Sequence, residues 1–188
     1  MEEEFKIIKG FENYSISNFG NVANVKTGLI LKSCINGRGY LKVGLNIKGK
    51  TFTKKIHRLV AEAFIPNPYN KPCVDHIDND ILNNNINNLR WTTVSENLMN
   101  QSMSKNNSSG VKGVCFNKKN NKWFARIDMN KKTYNIGYFN TLEEAKEARQ
   151  KKANELFGEF TNKCEKIKTE LEELLELEKE LEDLINLK

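Results

Sequence analysis

The chain has 188 residues, 38% of them hydrophobic and 29% charged, with a net charge of +6. Residues 1–104 carry 13 Lys/Arg against 9 Asp/Glu, residues 105–163 carry 13 against 6, and residues 164–188 carry 4 against 9, so a basic body ends in an acidic tail. These values argue against one large core, against a membrane span, since no apolar run nears the roughly 18 residues one needs, and, with the acidic start Met1-Glu2-Glu3-Glu4, against a secretory signal. A basic body favours a polyanionic partner, chiefly nucleic acid.

Residues 5–52 read as short strands and turns, with turn signals at Ser17-Asn18-Phe19-Gly20-Asn21, Asn36-Gly37 and Lys48-Gly49-Lys50. Leu41, Val43 and Leu45 alternate with Lys42, Gly44 and Asn46, as in a half-buried strand. Over residues 54–64 the period lengthens. Ile56, Leu59, Val60, Ala63 and Phe64 form a helical stripe that Pro66 and Pro68 terminate. Residues 72–78 predict a strand, a polar loop follows, and Ile86–Trp91 predict a second strand. Thr93-x-x-Glu96 is a capping box and opens a short helix. Trp91 follows the apolar pattern and is read as core.

Asn106-Asn107-Ser108-Ser109-Gly110 reads as a linker. Three strands are predicted near 111–116, 122–128 and 133–138, then a helix from the capping box Thr141-x-x-Glu144 to about Phe157. Residues 164–188 read as a leucine-rich helix, coiled-coil-like through Ile167, Leu174, Leu177, Leu181 and Leu184, for a homodimer or for packing on the basic body; three heptads are marginal for such a coil. Cys34, Cys73, Cys115 and Cys164 show no CxxC spacing, so reduced thiols in an intracellular setting, cytoplasm or nucleus, are expected.

The chemistry concentrates in Val74-Asp75-His76-Ile77-Asp78, Asn83-Asn84, Asn88-Leu89-Arg90-Trp91 and Ser95-Glu96-Asn97. The chain has two histidines, and one lies here beside a carboxylate. A neutral imidazole is a competent general base near neutral pH. Carboxylate and amide oxygens suit a hard cation, which stabilises a leaving oxygen in phosphodiester hydrolysis. Adjacent strand residues point to opposite faces, so Asp75 and His76 share a site only where the strand bends or ends. Asp78 and Asp80 are substitute ligands whose ordinary reading is solvated loop carboxylates.

Asp75-His76, Asn88 twelve residues after the histidine and Asn97 twenty-one after it resemble the HNH nuclease motif of phage and intron homing endonucleases; the lead-in Ile56-His57-Arg58-Leu59-Val60-Ala61-Glu62-Ala63-Phe64-Ile65-Pro66 is similar too. The resemblance covers roughly residues 54–100 and implies roles: His76 activates water, Asp75 and Asn97 ligate one divalent metal, and Asn88 assists catalysis by pinning the inter-strand loop. Asn97 stands where many members have His, which favours Mg²⁺ or Mn²⁺ over Zn²⁺. His57 and Arg58 lie off the apolar stripe and are read as phosphate contacts.

Residues 5–35 resemble the nuclease-associated module found before HNH cores, with Phe5 where members usually carry Trp. Residues 109–161 resemble the apetala/ethylene-response-factor DNA-binding domain, through Gly110-Val111-Lys112-Gly113-Val114, Lys122-Trp123-Phe124-Ala125-Arg126-Ile127 and Ile136-Gly137-Tyr138-Phe139. There a sheet enters the major groove. Trp123, Ala125 and Ile127 are expected to face Leu142, Ala145, Ala148 and Leu156, leaving Phe124, Arg126, Asp128, Thr133 and Asn135 outward. Arg126 is expected to read guanine and Asn135 adenine, with Lys112, Lys118, Lys119 and Lys132 on phosphates. Cys115 and Asp128 stand where plant members commonly carry arginine, so the site read differs.

The expectation is an α+β modular protein: an N-terminal module (1–52), a ββα-metal HNH core (53–104), a three-stranded antiparallel sheet with one helix (105–162) and an acidic helix (163–188). The expected function is metal-dependent cleavage of double-stranded DNA. The main alternative is a non-catalytic, sequence-specific DNA-binding protein or transcriptional regulator. An RNA-binding module ranks below both because no exposed aromatic platform is evident.

Overall fold

A computed structural model describes residues 2–167 and shows a mixed α/β protein of small antiparallel sheets with few helices. It divides between Ser102 and Met103 into two compact units. Among the described residues no helix is long and apolar enough to cross a membrane.

The first unit opens with a sheet of β1 (Phe5–Ile8), β2 (Phe11–Ser17) and β3 (Val22–Asn24), followed by one of β4 (Cys34–Ile35), β5 (Leu41–Ile47) and β6 (Lys50–Lys55). Along β5, Val43 and Leu45 are buried while Gly44 and Asn46 are exposed, so the predicted alternation is realised. Helix α1 (Ile56–Phe64) begins where β6 ends, two residues later than the periodicity suggested, because β5 keeps pairing through Lys55. Then come β7 (Cys73–His76), a loop, β8 (Leu89–Thr92) and α2 (Val94–Met99). Both halves of the Thr93/Glu96 capping box form. The predicted strand start at Ile86 is instead a single 3-10 turn over Ile86–Asn88, capped by the Asn85 side chain. Trp91 is half-buried and donates from Nε1 to Ile65 O at 2.9 Å.

One hydrophobic cluster holds this unit together: Ile8, Ile16 and Val22 from the first sheet, Val43 and Leu45 from the second, Ile56, Leu59 and Val60 from α1, and Leu89 from β8. Segments 1–52 and 53–104 therefore share a core. Their burial is a common hydrophobic gain, not two separate ones.

In the second unit β9 (Val114–Asn117), β10 (Lys122–Met129) and β11 (Lys132–Phe139) form an antiparallel sheet with β10 central. Helix α3 (Leu142–Phe157), opened by the complete Thr141/Glu144 capping box, covers one face. Ala125 and Ala145 meet there with no exposed surface, and small side chains let helix and sheet approach closely. The buried helix positions are Ala145, Arg149, Ala153 and Phe157, so an arginine sits in the middle of the apolar stripe. Its guanidinium is paired with Glu165. That pairing draws the chain back, and residues 163–165 form a turn where the sequence suggested helix. The rest of the predicted leucine-rich helix, and with it the homodimer reading, lies outside the described residues. Cys34, Cys73, Cys115 and Cys164 are all free thiols.

Candidate active site

The candidate residues converge on the β7–β8 hairpin and α2. Asp75 pairs in register with Arg90 and His76 with Leu89. Asp75 is buried and held from two sides: Arg90 Nε and Nη2 lie 3.0 and 2.9 Å from Oδ2, and Asn100 Nδ2 donates to both carboxylate oxygens at 3.1 and 3.0 Å. Asn100, just past α2, also donates to His76 O at 2.9 Å. It is almost fully buried and welds the end of the helix to the end of the strand. His76 contacts other elements, with its Nε2 3.2 Å from Asn84 Oδ1. His76 is the last residue of β7, so the strand ends where Asp75 and His76 stand; both side chains are buried, and their hydrogen-bond partners differ.

The loop between the strands is pinned by Asn88. Its Oδ1 accepts from Asp78 N at 3.0 Å, its Nδ2 donates to Asp78 Oδ1 and Asn83 O, both at 2.8 Å, and its carbonyl accepts from Ile77 N at 2.8 Å. Asp78, considered above as a substitute ligand, also accepts from Asp80 N and from Asn83 Nδ2. Burial would raise its pKa, but hydrogen bonds from Asn83, the Asp80 backbone and Asn88 outweigh that and hold it below the ordinary value. Its carboxylate is an internal hub of the loop. Asp80 is exposed and accepts from Leu82 N at 2.9 Å. Asn97 is half-buried on α2, and among the described residues its side chain makes no hydrogen bond.

His57 corrects the sequence reading. Expected on an exposed helix face and against phosphate, it is 4% exposed, its ring centroid 5.1 Å from that of His76 and 5.0 Å from that of Tyr40. On the helix it lies three residues before Val60 and four before Ala61, so it extends their buried face. Burial, then the neighbouring His76, Lys55 and Arg58, push its pKa down to about 3. The unfolded chain therefore takes up a proton that the folded one refuses. Stability from this group is present above pH 6.5 and is lost as pH falls towards 3, at up to about 1.4 kcal/mol per pH unit. Urea midpoints measured between pH 7 and pH 4 should show this slope, and His57→Phe should flatten it. Arg58 is half-buried and donates from Nη2 to Pro72 O at 2.9 Å.

In the second unit, Arg126 and Asn135 are cross-strand partners on the sheet face away from α3, both exposed. Arg126 Nε lies 3.6 Å from Asp128, which also accepts from Thr133 Oγ1 at 2.6 Å. Lys118 and Lys119 are exposed in the β9–β10 turn, and Lys132, at the start of β11, lies over the Tyr134 ring. Lys112 departs from its expected phosphate role: it is engaged by buried Glu165 at 3.0 Å. Phe124 and Tyr138 stack across the strands with centroids 4.8 Å apart, and Tyr138 is 48% exposed.

Sequence reasoning placed Asn84 and Arg90 in stretches that carry the chemistry but gave them no role, and it missed Asn100, Arg149 and Tyr40. For Arg90 a signal existed, since the register of two strands joined by a loop pairs a basic residue with Asp75. Asn100, Arg149 and Tyr40 act across long separations.

Residues 3–46 match the family model described as the NUMOD4 motif, and residues 54–99 match the model described as HNH endonuclease. Among curated proteins, an uncharacterized HNH endonuclease L247 of Acanthamoeba polyphaga mimivirus is 50% identical over 94 residues, covering 48% of this chain and 23% of that protein. DNA endonuclease I-HmuI of Bacillus phage SP01 is 43% identical over 99 residues, 52% of this chain and 57% of that one. H-N-H endonuclease F-TflII of Escherichia phage T5 is 34% identical over 89 residues, 46% of each. A solved structure of DNA binding and cleavage by the HNH homing endonuclease I-HmuI is similar with a TM-score of 0.49 at 43% identity, over 52% of this chain and 57% of that one. The chain spans less than two thirds of the length of each of these relatives.

Proposed function

We propose that this chain is a divalent-metal-dependent DNA endonuclease of HNH type, homing-endonuclease-like, with His76 as general base. The observation that carries this is the His76–Asn84 contact inside the segment matched to the HNH family. Asn84 Nδ2 donates to Leu82 O at 3.0 Å, so its Oδ1 faces the imidazole and Nε2 carries the proton. The lone pair then sits on Nδ1, the atom that takes a proton from water.

Asp75 and Asn97 would hold the cation. Both offer oxygen, the donor type of a hard divalent ion such as Mg²⁺ or Mn²⁺ that keeps several waters. Three of the four contacts to the Asp75 carboxylate fall on Oδ2 and one on Oδ1, and since each carboxylate oxygen has about two lone-pair positions, Oδ1 is the oxygen that would take a metal. Two protein ligands would leave the rest of the shell to substrate and solvent, as a hard divalent ion allows. When bound, the cation stabilises the departing oxygen. Asn88 keeps the loop over the site closed on itself, and Asn100 fixes Asp75 relative to the His76 backbone.

The partner is double-stranded DNA. The second unit is read as the apetala/ethylene-response-factor-type module, with Arg126 and Asn135 toward bases, and Lys118, Lys119 and Lys132 toward phosphates. Arg126→Ala should weaken binding to a preferred site by about 1–3 kcal/mol and relax preference at one base pair; equal weakening on all sequences in a competition assay would reduce Arg126 to a phosphate contact. Homodimerisation through residues 164–188 stays a proposal, tested by the solution mass of a chain ending at 167. The endonuclease reading itself is tested by incubating full-length protein with mixed plasmid DNA and Mg²⁺, Mn²⁺ or EDTA. Metal-dependent nicking or linearisation supports it. DNA that is bound but never cut, across a library of targets, favours the non-catalytic DNA-binding protein.

A further inference from the structure

Two stretches far from the candidate base in sequence reach it in space. The first is the turn after β2. Asn84, 4% exposed, stands with its back to Gly20: a Cβ on Gly20 would lie 3.1 Å from Asn84 Cβ and 3.1 Å from Ile56 Cγ2. The turn backbone therefore forms the wall behind Asn84, and Gly20 has φ +94°, which favours glycine. Asn18 O accepts from Ile86 N at 2.8 Å, tying the same turn to the loop that carries Asn84. Asn18 is itself fixed, accepting from Glu4 N at 3.0 Å and donating to Glu2 O at 2.9 Å.

The second stretch ends at Tyr40. Its ring is 5.0 Å from that of His57 and 6.1 Å from that of His76, and the His57 ring meets His76 edge-on. Among the described residues His57 Nδ1 is buried with no hydrogen-bond partner, and the ring packs against that of the base. The imidazole is thus bounded by Asn84 on its Nε2 side and by the Tyr40–His57 pair on its ring.

We propose that the Ser17–Gly20 turn and Tyr40 are positioning elements of the catalytic base: the turn seats Asn84 against His76 Nε2, and Tyr40, through His57, fixes the ring's orientation. This deepens the endonuclease reading and rests on it for the effect on turnover. The N-terminal segment is then part of the catalytic apparatus. A partner on one ring nitrogen sets which nitrogen is free to act, and misplacement by about 1 Å costs about a hundredfold in rate.

The test uses full-length protein and two readouts. With only two histidines, ¹⁵N imidazole shifts report each tautomer directly. Plasmid nicking with Mg²⁺ gives kcat, and binding in EDTA gives Kd. Wild type should show His76 protonated on Nε2. Gly20→Ala, Asn84→Ala and Tyr40→Ala should mix the tautomers and lower kcat by about tenfold to a hundredfold, with Kd changed by less than about twofold. Tyr40→Phe, which keeps the ring, should recover most of what Tyr40→Ala loses. An unchanged His76 tautomer in Asn84→Ala and Tyr40→Ala overturns the proposal, as does a Kd that rises in step with lost cleavage. Should the wild type cut nothing while the variants still shift the tautomer, the endonuclease reading fails and the positioning of His76 stands.

Discussion

His76→Ala is expected to lose about a hundredfold to ten-thousandfold of the metal-dependent cleavage rate, the usual contribution of a positioned general base, while binding DNA in EDTA as the parent does. The split follows from the geometry. The imidazole is buried in the β7–loop–β8 site, bounded by Asn84, His57 and Tyr40, and its removal leaves the basic sheet face of the second unit intact. The Asp75 network is also left in place, since its donors are Arg90 and Asn100 and neither bonds the His76 side chain. The measurement is single-turnover nicking of supercoiled plasmid beside a mobility-shift titration in EDTA. A His76→Ala protein that cuts at the parental rate removes His76 as the base. A protein that loses binding together with cutting means that the substitution has unfolded the loop, which His76→Gln would distinguish because it retains a donor toward Asn84.

Local signals were legible in the sequence because their partners are close along the chain. Thr93 with Glu96 and Thr141 with Glu144 announced both capped helices, and the alternation through Leu41, Val43 and Leu45 announced β5. The candidate base was legible only because Asp75, His76, Asn88 and Asn97 resemble the HNH motif, and all four lie on one hairpin, its loop and the following helix. What was not legible acts across distance. Asn100 finds Asp75 at a separation of 25 residues, Asn84 leans on Gly20, and Tyr40 reaches His76 from the β4–β5 turn. No period or local motif encodes such pairs, since they exist only once the shared core has assembled. His57 was misplaced for a different reason. A histidine beside an apolar stripe counts as polar in a pattern, yet α1 is buried across an arc wide enough to include it.

Glu165→Ala is expected to destabilise the second unit by about 3–5 kcal/mol, the cost of leaving one member of a buried ion pair unpaired. Arg149 projects from the centre of the α3 apolar stripe, and both its side chain and that of Glu165 are almost fully excluded from solvent. Burial lowers the Arg149 pKa and Glu165 opposes the shift, yet a guanidinium does not give up its proton at working pH. Without Glu165 the charge has no way to neutralise. The site also has no slack. A Cβ on Gly113 would lie 2.5 Å from Arg149 Nε and 2.6 Å from Arg126 O, so the guanidinium is wedged beneath the sheet strand that carries Arg126. Lys112 loses its Glu165 contact at the same time, and Asn154 Nδ2, which donates to Glu165 O at 2.7 Å, shows how tightly the returning chain is bound to α3. The measurement is urea unfolding of full-length protein followed by Trp123 fluorescence, with Arg149→Met/Glu165→Leu as the decisive companion. That pair removes both charges and keeps the volume, so it should recover most of the loss. If the single variant unfolds within about 1 kcal/mol of the parent, water reaches the guanidinium and the pair is not a closed one. If single and double variants are equally destabilised, packing by the Glu165 stem, and not its charge, holds the chain end against the helix.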